Sequence, residues 1–126
     1  MIKGIGIDTV SISKIKKYID SVGYSYIIHT FTENERISAK KHSVQEEYYA
    51  ARFAVKEAVF KAVAHNTQEK AFDLRIIETL NDEDGYPYVK ISGELQTVLE
   101  KADIRSIQIS ITTENDYATA IAIACS

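Results

Sequence analysis

The sequence has 126 residues and a formal net charge of −3, and it is 45% hydrophobic and 26% charged, which is typical of one folded domain over residues 1–126. Its single cysteine excludes an internal disulfide, and its three isolated histidines do not predict a zinc site. The net charge argues against a nucleic-acid-binding protein, and no segment has the roughly 20 apolar residues needed to cross a membrane. Because the start, MIKGIGIDTV, also lacks a secretory pattern, we expect a cytoplasmic protein without a membrane or nucleic-acid partner.

The first part of the sequence predicts a strand followed by short helices. Glycine and isoleucine alternate over residues 4–7, which is the pattern of a strand, and we expect this strand to end near Asp8. In residues 11–23, isoleucine and valine recur at helical spacing before Gly23, a residue type that commonly ends helices. Residues 24–31 are largely apolar and are interpreted as a further short helix.

Two repeats of a helix-start pattern precede the longest predicted helix. Thr32 and Glu35, and again Ser43 and Glu46, have the spacing of a capping box. The first pair predicts a short helix, and the second predicts the longest helix of the chain, ending at about Ala64. The apolar stripe of that helix is formed by residues at helical spacing: Tyr49, Phe53, Phe60 and Val63.

The second half of the sequence predicts two hairpins separated by a helix. The dipeptides Asp84-Gly85 and Asn115-Asp116 are typical of tight turns between paired strands. The predicted elements are two strands, a short helix and two further strands: 73–80, 88–92, 93–102, 105–113 and 117–125. Because helices and hairpins are segregated along the chain, we predict an α+β fold in which an antiparallel sheet packs with helices, one of them long and central.

Polar residues that could carry chemistry occur near the first strand's end and in the long helix. Asp8 follows an apolar strand that contains two glycines. Glu57 and Lys61 are four residues apart, so they share one face of the helix. Glu57 also borders the apolar stripe, which predicts a partly buried acid that needs a cation or a metal as its partner. Arg52 and Lys56 are also four residues apart, towards the other side of the stripe.

Each of these features also has a common structural explanation. A glutamate–lysine pair at this spacing is usually a surface ion pair contributing about 0.3–0.5 kcal/mol, and an acid between a strand and a helix is often a cap. The turn at 84–87 fits a plain hairpin connection, and Gly-Ile-Gly at 4–6 lacks the third glycine of a dinucleotide-binding motif. Spacing alone therefore leaves open whether Asp8, Glu57 and Lys61 form a site.

Longer stretches of the sequence resemble a known family. GIGIDTVSISKI at 4–15 and ARFAVKEAVFKA at 51–62 are similar, in order and separation, to the two motifs of holo-acyl-carrier-protein synthases. The likeness continues through FTENE, NDEDGYPYVKISGE and QISITTENDYATAIAI, at 31–35, 81–94 and 108–123. The resemblance implies a phosphopantetheinyl transferase-like fold and a magnesium-dependent enzyme. Such an enzyme transfers 4′-phosphopantetheine from coenzyme A to a serine of apo-acyl carrier protein and releases adenosine 3′,5′-bisphosphate.

The resemblance also implies roles for individual residues. By match, Asp8 and Glu57 would bind magnesium, and Lys61 would contact a phosphate of coenzyme A and assist the leaving group. Arg52 and Lys56 also match family positions, and the resemblance implies that Arg52 is a further coenzyme A contact. For both residues, a role in a surface or structural ion pair is the alternative. Either Glu57 or a water held by the metal would take the serine proton.

The resemblance further implies partners for the chain. Small members of the family form homotrimers with active sites between chains. The carrier protein is acidic, and the lysine cluster of the first helix would receive it, although a solvated helix face explains the same residues: Lys14, Lys16 and Lys17.

Two departures from the family pattern are visible. Residues 64–67 read AHNT where members commonly have a Gly-Thr-Gly loop, and Thr112 and Thr113 replace a Ser-His pair. Because that loop lies near the nucleotide in the family, a non-catalytic homologue that binds coenzyme A or a carrier protein is the alternative function. The choice between a fatty-acid and a secondary-metabolite carrier also stays open.

Overall fold

The computed structural model describes residues 1–68 and 70–126. The helices are α1 (Ile12–Val22), α2 (Tyr24–Thr30), α3 (Glu33–Lys40), α4 (Gln45–Ala64) and α5 (Gly93–Lys101). The strands are β1 (Ile2–Ser11), β2 (Glu78–Asn81), β3 (Pro87–Lys90), β4 (Ser106–Glu114) and β5 (Tyr117–Cys125). A short 3₁₀ turn, Leu74–Ile76, precedes β2.

The long strands form an antiparallel sheet in the order β1-β5-β4, while β2 and β3 pair as a separate hairpin. Helix α4 lies across one face of the three-stranded sheet and contacts β1 and β5 most extensively. This arrangement confirms the predicted α+β class, with an antiparallel sheet and one long central helix.

Small residues let α4 lie close to the sheet. A Cβ atom at Gly6 would overlap the carbonyl oxygen of Ala58, and one at Gly4 would overlap that of Ala62. Glycine is therefore required at both positions, because the obstacle is helix backbone that cannot move aside. The inward residues of β5 are all buried alanines: Ala118, Ala120, Ala122 and Ala124.

Burial of α4 is wider than the predicted stripe. Phe53 and Phe60 are only partly buried, whereas Val55 and Val59, on another side of the helix, are completely buried. The helix packs against the sheet on one side and against α1, α3 and β2 elsewhere. Its sequence therefore lacks the clear polar face of a surface helix.

Several local predictions are confirmed. Helix α1 ends at Gly23, whose φ of +81° suits glycine, and α2 occupies the ambiguous apolar segment that follows. Thr32 and Glu35 form the predicted capping box at the start of α3. Turns at Gly85 (φ +87°) and Asn115 (φ +54°) join the two predicted hairpins.

The first strand is longer than predicted. Its pairing with β5 continues past Asp8, which lies opposite Ala120, to Ser11, which lies opposite Tyr117. Asp8 is therefore in the middle of a strand and is not a cap. Its position depends on the partner strand, which the local pattern of glycine and isoleucine does not show.

The predicted strand at 73–80 is wrong in its first half. Residues 74–76 form the 3₁₀ turn, capped by the Asp73 carboxylate, which accepts a hydrogen bond from the Arg75 N–H. Pairing with β3 begins only at Glu78. Lys56 of α4 binds two carbonyl oxygens of this segment, and these tertiary hydrogen bonds outweigh the local preference for a strand.

The capping box predicted at Ser43 and Glu46 is also wrong. Helix α4 begins at Gln45 with Val44 at the N-cap position, and no side chain caps it. The His42 ring nitrogen Nδ1 lies 3.0 Å from the Val44 carbonyl oxygen. This local contact holds the chain in a turn that moves the helix start beyond Ser43.

The sheet face away from α4 is apolar and open. Ile5, Ile7 and Ile121 are 60%, 58% and 36% exposed, and Ile123 next to them is partly exposed. Ile5 lies opposite Ile123 and Ile7 opposite Ile121, so the four side chains form one patch across β1 and β5. A patch of this kind is typical of a surface that another chain covers.

Candidate active site

Asp8 is directed towards α4 by the strand that carries it. Gly4, Gly6 and Asp8 alternate along β1, so they share the face that packs on the helix. Gly6 lies against Ala58, so Asp8, the next residue of β1 on this face, reaches the turn of α4 that precedes Ala58. The glycines therefore place the Asp8 carboxylate beside the helix face that bears Glu57.

Lys61 joins the same site from one turn further along α4. Its Nζ lies 3.1 Å from Asp8 Oδ1 and donates a hydrogen bond of 3.0 Å to the Ile7 carbonyl oxygen. The Lys61 side chain is 51% exposed and that of Asp8 is 19% exposed. The lysine thus pairs with Asp8 of the strand, and not with Glu57 four residues before it, as its helical spacing alone would suggest.

Glu57 is the partly buried acid that the sequence predicted. Burial raises the pKa of its carboxyl group above the ordinary value, and the nearby charge of Asp8 raises it further, while Lys61 opposes the shift. Two acids so close favour a cation between them, because a cation offsets both the burial and their mutual repulsion.

Glu57 lines two cavities. The main cleft has a volume of about 580 Å³, and its lining residues are Asp8, Thr9, Val10, Ser11, Lys14, Ile15, Tyr18, Tyr26, Phe53 and Glu57. The side cavity has a volume of about 170 Å³, and its lining residues are Glu57, Phe60, Lys70, Ala71, Phe72 and Leu74. Glu57 is the residue that the two linings share.

The main cleft has an aromatic wall that sequence reasoning missed. The rings of Tyr18 and Tyr26 meet edge to face with centroids 4.7 Å apart, and the Tyr26 ring lies 6.3 Å from that of Phe53. The Tyr26 hydroxyl is buried and lacks a hydrogen-bond partner in the described part of the chain. Tyr18 lies four residues after Lys14 on α1, and this shared helix face was the available signal.

Arg52 lies on another side of α4, away from these acids. Its Nη2 donates a hydrogen bond of 2.8 Å to Asn81 Oδ1, and its guanidinium lies 5.0 Å from the Tyr48 ring centroid. It is 93% buried, yet Nε and Nη1 lack partners within the described residues. A separate cavity of about 250 Å³, the Arg52 pocket, is lined by Ser38, Lys41, His42, Tyr48, Arg52 and Asn81. The structure thus brings Asp8, Glu57 and Lys61 together but leaves Arg52 apart.

Comparison with known proteins identifies the family of this chain. A sequence model of the 4′-phosphopantetheinyl transferase superfamily matches residues 4–122. The holo-[acyl-carrier-protein] synthase of Fusobacterium nucleatum is 41% identical over 124 residues, which cover 98% of each chain. The chain belongs to the holo-acyl-carrier-protein synthase family.

Solved structures of synthases share its fold. The crystal structure of the synthase from Neisseria meningitidis superposes with a TM-score of 0.91 at 30% identity and full coverage of both chains. The Bacillus anthracis synthase, solved in complex with CoA (3′,5′-ADP), has a TM-score of 0.78 at 32% identity, covering 100% of this chain and 99% of that one. The resemblance of the two motifs to holo-acyl-carrier-protein synthases is thereby confirmed.

The two acids fit the metal that this synthase family suggests. Among residues 1–68 and 70–126, no group of three or more histidine, cysteine, aspartate or glutamate side chains could hold a metal ion. Asp8 and Glu57 both line the main cleft, and their carboxylates would supply two hard oxygen ligands. Magnesium commonly binds in this way, through one or two carboxylates together with substrate phosphates and water.

The departure from the synthase pattern after α4 lies away from the acids. The Asn66 side-chain amide donates a hydrogen bond of 2.8 Å to the Lys3 carbonyl oxygen, which ties the loop to the start of β1. His65, Asn66 and Thr67 line a different cavity with Val98 and Lys101.

Within the described ranges, no helix has both the length and the apolar character needed to cross a bilayer.

Proposed function

We propose that the chain is a magnesium-dependent holo-acyl-carrier-protein synthase. It would transfer 4′-phosphopantetheine from coenzyme A to a serine of apo-acyl carrier protein in the cytoplasm. The observation that carries the proposal is the convergence of Asp8, Glu57 and Lys61 from β1 and α4 at the main cleft. The motif match, the full-length relatives and a related structure solved in complex with CoA support it.

Asp8 and Glu57 would act on the two substrates of the transfer. Asp8 and Glu57 would hold magnesium, which when bound neutralises charge on the pyrophosphate of coenzyme A. Glu57 lines the cleft where the serine would enter, so its carboxylate is our proposed acceptor of the serine proton. The serine Oγ forms a bond to the phosphorus that bears pantetheine, and the bond from that phosphorus to the bridging oxygen breaks. Adenosine 3′,5′-bisphosphate leaves with the electron pair.

The substitution Lys61→Met tests whether Lys61 stabilises the departing phosphate. Its ammonium group is half exposed and can turn from Asp8 to the departing phosphate, where it would stabilise the developing charge. We expect the turnover rate to fall about 100-fold while the KM for the carrier stays unchanged. Initial rates of carrier modification measure both values, with Lys90→Met, at an exposed position of β3, as the control. An unchanged turnover rate would remove Lys61 from the mechanism.

The carrier protein would approach over α1. Lys14 lines the main cleft, and Lys16 and Lys17 are exposed on the same helix. An acidic partner meeting these lysines would bring its serine beside Asp8 and Glu57. The local positive charge acts despite the net charge of −3, because charges beyond about 10 Å are largely screened at moderate salt.

A homotrimer with shared active sites would explain two features together. It would cover the apolar patch of Ile5, Ile7, Ile121 and Ile123, and it would bring the Arg52 pocket of one chain to the main cleft of the next. Two nitrogen atoms of the buried Arg52 guanidinium lack partners within the described residues and, with Lys41 and His42 beside them, suit a phosphate of coenzyme A. Arg52 is thus our proposed coenzyme A ligand at the neighbouring chain's site.

Mixing two inactive variants tests this sharing. Arg52→Ala and Glu57→Gln should each have low activity, because every site lacks one group. In trimers formed by co-expressing both chains equally, about a quarter of the sites should combine an intact Glu57 with an intact Arg52. Transfer rates measure the recovery, and light scattering should give three times the 14.2-kDa chain mass. Correctly sized mixed trimers without recovered activity would contradict shared sites.

The proposal as a whole is tested by the intact mass of an apo-acyl carrier protein. After incubation with the chain, coenzyme A and magnesium, a fatty-acid or secondary-metabolite carrier should gain one phosphopantetheine. Binding of coenzyme A without any gain on either carrier would favour the non-catalytic homologue.

A further inference from the structure

Lys56 follows Arg52 by one helical turn and precedes Glu57 directly, but its side chain is completely buried. Its Nζ donates three hydrogen bonds: to Glu35 Oε1 at 2.8 Å, to the Leu74 carbonyl oxygen at 2.9 Å and to the Ile77 carbonyl oxygen at 2.7 Å. These three bonds use every proton of the ammonium group. Lys56 therefore has no donor left for a phosphate.

Glu35 completes a closed network around this lysine. Its carboxylate accepts hydrogen bonds from the Thr32 N–H, the Thr79 N–H and the Thr79 hydroxyl, at 2.9, 3.0 and 2.9 Å. Burial lowers the pKa of Lys56, and the carboxylate of Glu35 opposes that shift. Removal of one partner would leave the other charged group buried without compensation, which is strongly destabilising.

The network controls a segment that borders the site. Residues 72–77 carry Leu74, which lines the side cavity beside Glu57, and Phe72, whose ring meets Phe60 of α4 at 4.9 Å. Residues 74–76 of this segment form a short 3₁₀ turn outside any sheet, and their strand begins only at Glu78. Lys56 ties this wall to α4, the helix that carries Glu57.

We propose that Lys56 is a positioning residue that fixes the 72–77 wall of the side cavity for the binding of coenzyme A. The proposal rests on the proposed function for the ligand, but the tie between Lys56 and the wall is a property of the free protein. Lys56 would act through the carbonyl oxygens of Leu74 and Ile77 and would touch neither substrate.

The test uses a double variant, because Lys56→Met alone leaves Glu35 charged and buried and could fail to fold. Lys56→Met with Glu35→Gln removes both charges, and the glutamine can still accept hydrogen bonds from Thr79. Arg75→Lys is the control within the segment, because Arg75 is exposed and a lysine can still pair with Asp73, which caps the turn.

Two measurements are made on these proteins. In the free double variant, amide hydrogen exchange over residues 72–77 should be faster than in the parent, while the exchange of β4 and β5 stays the same. The KM for coenzyme A should rise about tenfold with the turnover rate and the carrier KM nearly unchanged. The Arg75→Lys control should match the parent in both measurements.

A folded double variant with parental exchange and a parental KM would overturn the proposal and make the pair purely structural. Leu74→Ala keeps the network and removes the wall's side chain, so it should also raise the KM for coenzyme A; an unchanged KM would equally overturn the proposal. Failure of the proposed function is distinguished by the parent protein itself, which would then transfer no phosphopantetheine whatever the exchange rates show.

Discussion

Glu57→Gln is expected to lower the rate of phosphopantetheine transfer by about a thousandfold while leaving the fold intact. The glutamine has the same size, so packing between the main cleft and the side cavity is kept. It loses the negative charge that would hold magnesium and the basic oxygen that would take the serine proton. Its neighbour Asp8 should show the same loss on substitution by alanine, because the two carboxylates act on one cation.

The time course of carrier mass measures this loss for Glu57→Gln and Asp8→Ala. Glu100→Gln, an exposed glutamate on α5, is the control for the chemical change and should keep the parental rate. Thermal unfolding should show that both site variants are folded. Undiminished transfer by either one would refute the assignment of the two acids as metal ligands.

Gly6→Ala is expected to destabilise the protein by about 3 kcal/mol and to displace the site. The added methyl group would overlap the Ala58 carbonyl oxygen, which is part of the α4 backbone, so β1 must move away from the helix. Asp8, the next inward residue of β1, would move with it. The loss of activity should therefore exceed what the fraction of unfolded protein explains.

Thermal unfolding and transfer kinetics together measure both parts of this prediction. A loss of about 3 kcal/mol corresponds to a fall in Tm of about 10 °C for a domain of this size. Thr113→Ala, at an exposed position of β4, is the control and should keep the parental Tm. A parental Tm and rate for Gly6→Ala would show that the strand and the helix are less tightly packed than the structure indicates.

Local sequence signals were sufficient for elements whose ends depend on neighbouring residues. The capping box of Thr32 and Glu35, the helix end at Gly23 and the turn at Gly85 were all predicted, because each rests on a local hydrogen bond or a positive φ. Glu57 was predicted to be partly buried from its place beside aromatic residues of its own helix. These are properties of single segments.

The features that the sequence did not predict depend on contacts between segments that are distant in the chain. The first half of the strand predicted at 73–80 is a 3₁₀ turn, because a buried lysine from α4 binds carbonyl oxygens of this segment, and the segment's own sequence does not show that contact. The pairing of Lys61 with Asp8 likewise requires the close approach of β1 and α4. Gly4 and Gly6 carried that information, but in the sequence they resembled an incomplete phosphate-binding loop.

The roles of the site residues were implied by family resemblance and stay predictions. The structure brings Asp8, Glu57 and Lys61 together, yet it leaves Arg52 outside their cleft. The single domain over residues 1–126 and the cytoplasmic location also stay predictions.

The most direct test of the central claim is the mass of apo-acyl carrier protein before and after metal is returned to EDTA-treated protein. The account predicts no phosphopantetheine gain with coenzyme A alone and full modification once magnesium is added to the parent chain. Under the same conditions, Asp8→Ala should stay inactive at every magnesium concentration. Full modification in the presence of EDTA, or by Asp8→Ala, would contradict a magnesium-dependent transfer at the Asp8–Glu57 pair.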